Sequence, residues 1–266
     1  QKKEFLDLSK EAKLEDQILP LSEEPRLHPK VILLTGATGF VGRFLLRQLL
    51  DDFEGAIVYC LVRSENGIQA SRRLEDVLSQ WNLLKTGDLN RIKAIPADIS
   101  KPYLGMKIEE FSRLTNAVDS IYHCASSVNH FENFASAKAA NVNSVETLLR
   151  IATTHKAKTL NYISTLSIFT SEGQSADRVV EESTSLNEER HEAINGYEAS
   201  KWVADKLIGL AQERSVPCNI FRLGLVWADS VQGRFDSLQR EHRILDSCVQ
   251  SGFGLTDYRY EMNPVP

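Results

Sequence analysis

Val31-Ile32-Leu33-Leu34-Thr35-Gly36-Ala37-Thr38-Gly39-Phe40-Val41-Gly42 is the stretch on which the fold turns. Residues 31–34 form a continuous apolar run, as a strand covered on both faces requires. Residues 40–50 place apolar side chains at 40, 41, 44, 45, 46, 49 and 50, which is helical spacing. A glycine turn lies between. Gly36 permits the sharp bend, Gly39 has no side chain to block an approaching pyrophosphate, and Gly42 lets the helix pack against the strand. The helix N-terminus adds free N–H groups and a partial positive charge. A glycine turn can merely join a strand to a helix. At the head of the first βαβ unit, this one reads as a dinucleotide-binding loop.

Outward from the loop, strands and helices alternate. Strands are expected over Ile57–Val62, 91–95, 117–122, 158–163 and Cys218–Leu223. Helices are expected over 67–84, 133–154 and 197–212. Such alternation predicts an α/β fold, a Rossmann-like doubly wound parallel sheet with helices on both faces. Residues 1–29 are polar, with prolines at 20, 25 and 29, and read as a linker with a short helix over 4–16. Residues 172–191, with acidic side chains at 181, 182, 188 and 189, read as an exposed loop or flap. Beyond residue 228 the pattern fades. The expected organisation is therefore a lead-in (1–29), a dinucleotide domain with the catalytic residues (30–228) and the start of a substrate region (229–266).

Composition limits the function. The chain has 266 residues, 42% hydrophobic and 25% charged, with a net charge of -5. An acidic balance without a basic run argues against a general nucleic-acid binder. No run approaches the ~20 apolar residues of a membrane span. Cysteines at 60, 124, 218 and 248 form no CxxC pair, and Cys60 and Cys124 lie in apolar runs as expected of buried thiols. A reducing cytoplasm is the simple expectation. Six dispersed histidines without HExxH predict no metal. A chain that starts at Gln1 is expected to be excised from something longer.

Arg63 stands at the end of the second predicted strand, where NAD-preferring folds carry an acid, and Arg72-Arg73 follow. A guanidinium fork suits a ribose 2′-phosphate, so NADP(H) is the expected cofactor; a plain surface arginine is the alternative. Asp98 either bonds the adenine or caps a turn. Small residues in His123-Cys124-Ala125-Ser126-Ser127 either let the cofactor pass close to the sheet or simply pack tightly. Tyr162-Ile163-Ser164-Thr165 ends the fifth strand, and Tyr197-Glu198-Ala199-Ser200-Lys201 follows. Tyr197 and Lys201, four apart, share a helix face. A nearby ammonium is expected to lower the phenol's pKa towards neutrality, for proton donation to a carbonyl oxygen. The Thr165 hydroxyl is placed to hold that oxygen. YxxxK alone is a common chance match; its order after the glycine loop gives it weight.

Together, the glycine loop, Asn141-Val142, Ser164-Thr165 and Tyr197-Glu198-Ala199-Ser200-Lys201 resemble the extended short-chain dehydrogenase/reductases. Tyr59-Cys60-Leu61-Val62-Arg63, Ile121-Tyr122-His123-Cys124-Ala125, Ile163-Ser164-Thr165-Leu166-Ser167 and Ser200-Lys201-Trp202 look more narrowly like the terminal thioester reductase domains of nonribosomal peptide synthetases and carboxylic acid reductases. The likeness runs from about residue 30 onwards. It implies NADPH as cofactor, with Gly36, Gly39 and Gly42 on the pyrophosphate, Arg63 and Arg73 on the 2′-phosphate, and Asp98 on the adenine. It further implies cofactor contacts from Thr35, Thr38, Phe40 and Val41 in the loop. Ile99, Ala125, Ser126, Asn141 and Leu223 would line the rest, beside Tyr197 and Lys201. Thr165, Tyr197 and Lys201 would be catalytic.

The implied substrate is an acyl or peptidyl thioester on the phosphopantetheine arm of an upstream carrier domain. Reduction would release an aldehyde, and in some members an alcohol, from a monomer. The family usually has Arg-Pro-Gly where Arg222-Leu223-Gly224 stands here, and it continues for on the order of a hundred residues further. The substrate part is therefore expected to be cut short. Two other readings fit part of the pattern: an extended reductase or epimerase acting on a free small molecule, and a non-catalytic dinucleotide sensor. The retained Tyr–Lys pair speaks against the sensor, and the absence of GxSxG against a thioesterase.

Overall fold

The structure is a computed structural model that describes residues 7–169, 180–184, 186, 195–236, 239–254 and 264–265. The expected flap at 172–191 lies mostly outside these residues. The chain divides into two compact units, Gln1–Arg222 and Leu223–Pro266.

The first unit is built on a six-stranded sheet: β1 (Val31–Thr35), β2 (Ile57–Val62), β3 (Ile92–Pro96), β4 (Ser120–His123), β5 (Thr159–Thr165) and β6 (Cys218–Leu223). Their order is β3-β2-β1-β4-β5-β6. β1 pairs in parallel with β2 on one side and with β4 on the other. The strand order therefore reverses at β1, where doubly wound folds open a crevice for ligands. Helices α1 (Phe40–Asp52), α2 (Gly67–Gln80), α3 (Ile108–Ala117), α4 (Phe134–Asn141), α5 (Asn143–Ala152) and α6 (Gly196–Glu213) connect the strands.

Alternate side chains of β1 enter two cores, as the period of two along a strand dictates. Ile32 and Leu34 join Leu46, Leu49 and Leu50 of α1 and Leu74 and Leu78 of α2. Leu33 joins Leu148 and Leu149 of α5 and Trp202, Val203 and Leu207 of α6. Both faces are covered, which is why β1 has no polar alternation.

Three expectations need correction. The predicted helix over 133–154 divides at Val142 (φ -102°, ψ -57°) into α4 and α5. The division falls where the Asn141 side chain is drawn into a buried network described below. The strand expected over 117–122 starts only at Ser120. Asp119 before it is spent as an acceptor for the N–H groups of Lys30 and Val31, at 2.9 and 3.0 Å.

The lead-in is not a free linker. Its described part carries only a 3-10 turn, Leu8–Lys10, and buries Leu8, Ala12, Leu14 and Ile18 in the larger core. Arg214 beyond α6 donates to the carbonyls of Glu15 and Ile18 at 2.7 and 3.2 Å. Glu11 pairs with Lys138 at 2.6 Å, and Glu15 pairs with Arg150. Polar composition hid a segment with four apolar residues, Leu8, Ala12, Leu14 and Ile18, buried in the core.

The second unit, by itself, contains a parallel pair, β7 (Leu225–Val226) and β8 (Pro264–Val265), and helix α7 (Arg240–Ser251). His242 of α7 contacts Trp227 and Phe235 edge-to-face, at 4.3 and 4.1 Å between centroids. No described helix of the chain is long and apolar enough to cross a membrane.

Charge-assisted hydrogen bonds to buried carbonyls contribute substantially more than neutral ones. Arg214→Ala should cost about 2 kcal/mol and detach the lead-in. Hydrogen exchange at residues 8–18 would then rise selectively; unchanged protection there would show that the apolar contacts alone hold the segment.

Candidate active site

The glycine loop is held by sterics. Gly36 has φ +78°, and a Cβ there would lie 2.6 Å from the Ala125 nitrogen and 2.8 Å from the Cys124 carbonyl carbon. Only glycine permits both the conformation and the approach of β1's end to β4's end. A Cβ at Gly42 would stand 2.0 Å from the Gly36 oxygen. Gly39 is exposed, and its N–H closes the turn onto the Gly36 carbonyl at 2.9 Å. As N-cap of α1 it supplies no side-chain cap, so the helix presents its amide end uncapped by any side chain. The Thr38 and Gly39 carbonyls accept from Arg43 at 3.1 and 2.9 Å. Phe40 packs edge-to-face on Phe44 and Trp81, each at 5.5 Å, and Val41 is partly buried.

Thr35 serves the loop rather than its surface. Its hydroxyl is buried, accepts from the N–H groups of Cys124 and Ala125 at 3.2 and 3.1 Å, and lies 2.7 Å from His123 Nδ1. Ser144 gives its proton to the Ala140 carbonyl at 2.5 Å and lies 3.3 Å from His123 Nε2. That chain assigns Nε2–H as donor to Ser144 and Nδ1 as acceptor from Thr35. Burial, with Lys201's charge nearby, pushes His123 down to about 3, so it stays neutral. The Thr35 hydroxyl, expected to touch a cofactor, is engaged in internal hydrogen bonds.

On the β2 side, Arg73 Nη1 donates to the Arg63 carbonyl at 2.7 Å, bringing both exposed guanidinium-bearing residues to one rim. Arg72 turns to Asp76 at 4.0 Å. Asp98 accepts from the Ser100 N–H and hydroxyl at 3.1 and 2.6 Å, so the structure realises the turn-capping alternative. The Ser100 hydroxyl holds its carboxyl below the ordinary range, against burial, with smaller help from Lys101 and Arg63. Ile99 follows, packed against the larger core.

Asn141 is likewise engaged internally. Its Oδ1 accepts from the Ser126 hydroxyl and the Ser127 N–H at 3.1 and 2.7 Å. Its Nδ2 donates to the Ser127 carbonyl and the Ser200 hydroxyl at 3.0 and 2.8 Å. Every polar valence of this buried amide is used to tie the segment after β4 to α6. Ala125, beside it, is the residue against which Gly36 packs.

At the other edge, α6 begins with Asn195 accepting from the Glu198 N–H at 2.9 Å, a side-chain N-cap. A Cβ at Gly196 would meet the Glu132 oxygen at 2.3 Å, so the helix starts hard against the 127–133 segment. Tyr197 then faces the Thr165 hydroxyl, which itself lies 3.1 Å from the Ser167 hydroxyl and accepts from the Ser167 N–H at 3.2 Å, and contacts His130 edge-to-face at 5.2 Å. Lys201 is 3% exposed; its Nζ donates to the Ile163 carbonyl at 2.7 Å and sits 4.2 Å from the Tyr162 ring centroid. Burial lowers it to about 7, although Cys124 and Asp205 favour its charged form.

The structure brings Thr165, Tyr197 and Lys201 together as expected, but not with the expected electrostatics. Burial pushes the Tyr197 phenol above its ordinary value, Thr165 opposing and Glu198 adding. The ammonium is committed to the Ile163 carbonyl and is itself half discharged near neutrality. Leu223 closes β6. His123 and Asn141 as structural hubs were not apparent in the sequence; a histidine at a strand end, followed by the small residues Cys124-Ala125-Ser126, was the available signal.

Residues 34–265 match the family model of the male sterility protein, and the chain belongs to that family. It is 36% identical over 221 residues to a linear gramicidin synthase of Brevibacillus parabrevis, covering 83% of this chain and 4% of that protein. It is 34% identical over 244 residues to the non-canonical nonribosomal peptide synthetase cpsA of Aspergillus campestris, covering 88% and 23%. Among solved structures, the terminal R domain of the myxalamid PKS-NRPS pathway superposes with a TM-score of 0.86 at 33% identity, over 97% of this chain and 65% of that one. A thiolation-reductase di-domain from an archaeal nonribosomal peptide synthetase gives 0.69 at 25% identity, over 92% and 50%. The chain thus spans under two thirds of each of these proteins.

Lys201 binds its proton less tightly folded than unfolded. The unfolded chain therefore holds more protons between pH about 7 and the ordinary lysine value of 10.5, and stability gains from this group as pH rises through that window. Lys201→Met should raise the melting temperature, more at pH 6 than at pH 9. An equal or reversed difference would contradict a desolvated ammonium.

Proposed function

We propose that this chain binds NADPH and reduces a carrier-bound acyl or peptidyl thioester to an aldehyde. The observation that carries the reading is the placement of Tyr197 on α6, facing Thr165 at the end of β5 and one helical turn from Lys201, in the unit whose first strand ends in the glycine loop. The names of the similar proteins support the substrate class: synthetases, a terminal R domain and a thiolation-reductase di-domain.

The residues present fit the cofactor. The α1 N-terminus, uncapped and fronted by the exposed Gly39, suits a pyrophosphate. Gly36 and Gly42 build that turn, and the amides of Phe40 and Val41 in the first turn would donate to the phosphates. Arg63 and Arg73 form a cationic rim for a 2′-phosphate. Ala125 and Ser126 line the passage towards Tyr197. When bound, the nicotinamide supplies the hydride.

Tyr197 donates the proton. Its raised pKa keeps the phenol protonated at neutral pH, ready to transfer to a carbonyl oxygen that accumulates charge. Thr165 bonds that oxygen and holds the phenol in line. Lys201 sits one turn behind and, near pH 7, exchanges protons with little cost. The resulting hemithioacetal breaks its C–S bond, and the thiol leaves with the carrier arm. We further propose that the lead-in, docked through Leu8 to Ile18, places an upstream carrier domain beside the catalytic edge, and that one copy suffices. The free thiols agree with a reducing compartment such as the cytoplasm.

Calorimetric titration tests the cofactor half. NADPH should bind at least about tenfold tighter than NADH, and Arg63→Ala should erase most of that ratio while sparing NADH, since a 2′-phosphate pairing contributes about 1–3 kcal/mol. Equal affinities in the unmodified protein would remove both arginines from this role. For the chemistry, Tyr197→Phe should lower reduction of an acyl-pantetheine thioester by a factor of about 100 or more with NADPH affinity retained. Undiminished turnover would reject Tyr197 as proton donor.

A further inference from the structure

Positions 197, 201 and 205 recur every four residues on α6 and share one face. Each holds a different residue at the end of β5. Tyr197 meets the Thr165 hydroxyl. Lys201 donates to the Ile163 carbonyl at 2.7 Å. The Asp205 carboxylate accepts from the Ser164 hydroxyl at 2.6 Å. Three consecutive residues of the strand are therefore gripped by three successive turns of one helix.

The third contact has no part in the reading given above. Asp205 is 1% exposed, and a buried carboxylate survives only when it is paired and hydrogen-bonded. Arg222 of β6 supplies the pair as a fork: Nε to Oδ2 at 3.1 Å and Nη2 to Oδ1 at 2.8 Å. The same guanidinium lies over the Phe169 ring at 5.2 Å. One carboxylate thus joins α6, β5 and β6.

A brace of this kind needs no formal charge; a charge one turn from Lys201 does something more. The groups facing Lys201 are His123 of β4, Cys124 after it, Tyr162 of β5 and Asp205. His123 is held neutral by burial, and the Cys124 thiol is pushed up to about 12 and stays uncharged. Tyr162 is raised well above the ordinary phenol value and offers only its ring. Asp205 is the anion of the set.

We propose that Asp205 is a positioning residue of the site, holding Ser164-Thr165 against α6 and keeping the Lys201 ammonium charged in a buried setting. The catalytic part of this statement rests on the reductase reading; the electrostatic part does not.

The test follows the Lys201 Nζ ionisation through its ε-carbon resonance by NMR, assigned by its loss in Lys201→Arg. Asp205→Asn keeps the side chain's shape and an acceptor for Ser164 but removes the charge. Its Lys201 midpoint should fall by about one pH unit, because the favourable anion is gone. NADPH affinity should stay within about twofold, while thioester turnover at neutral pH falls by about tenfold. Arg222→Gln strips the counter-cation and leaves the carboxylate, so the midpoint should rise. Opposite shifts in the two variants would establish the charge role, which a passive brace cannot produce. An unmoved midpoint in folded Asp205→Asn, or shifts of the same sign in both, would overturn it. If Asp205→Asn does not fold, Asp205→Asn combined with Arg222→Gln, which leaves neither charge unpaired, is compared with Arg222→Gln: a lower midpoint in the double variant supports the proposal and an equal one rejects it. The titrations need no substrate, so failure of the unmodified protein to reduce a thioester would count against the reductase reading and leave this one standing or falling by itself.

Discussion

The approach of β1's end to β4's end governs the rest of the structure. Gly36 sits where any Cβ would collide with the backbone of Cys124 and Ala125. The same junction is closed by the Thr35 hydroxyl, which takes two N–H groups from β4's continuation and meets the buried His123. Sterics set the distance and hydrogen bonds set the register. Because β1 is where the strand order reverses, fixing this junction fixes the crevice. It also fixes the direction of α1, whose Gly42 leans on the Gly36 carbonyl. The amide end of α1 and the segment leading to Asn141 and α6 are thereby placed from one point.

Burial then assigns the ionisation states. Desolvation disfavours whichever form carries charge, so it acts in opposite directions on a phenol and an ammonium. Tyr197 is pushed up and stays protonated at neutral pH; Lys201 is pushed down to about 7 and is half discharged there. Each group reaches this state chiefly through its own desolvation. A simple Tyr–Lys pair picture, in which the ammonium lowers the phenol, ignores that the ammonium suffers the same desolvation penalty.

How much of this was legible in the sequence depends on the kind of interaction. Ile57–Val62 and Cys218–Leu223 are strands residue for residue, because a buried parallel strand is a bare apolar run between turn residues. The glycine loop and the 197–201 pair were legible because their spacing is the geometry. α3 was not, since its buried positions, Leu114 and Thr115, are too few for a periodic signal. The lead-in was read as linker because its burial depends on partners far along the chain, notably Arg214 and Arg150. Thr35 and Asn141 stand at positions that suit a cofactor contact, yet their polar atoms are consumed internally. Residue type and position cannot say which way a side chain directs its hydrogen bonds.

The division between rim and interior has a consequence for how such a site can vary. Arg63 and Arg73 are exposed, so their interactions are screened by salt and solvent and contribute modestly and adjustably. On the proposed reading, changing them would alter which dinucleotide is preferred without disturbing packing. Thr35, His123, Asn141, Lys201 and Asp205 are all buried, and each is bonded to a different element. In a low-dielectric interior a lost partner leaves a desolvated polar group, which costs more than the bond itself contributed. The proposed determinants of cofactor preference therefore lie where substitution disturbs least, while the helix face that carries Tyr197 is locked by a network that tolerates little change.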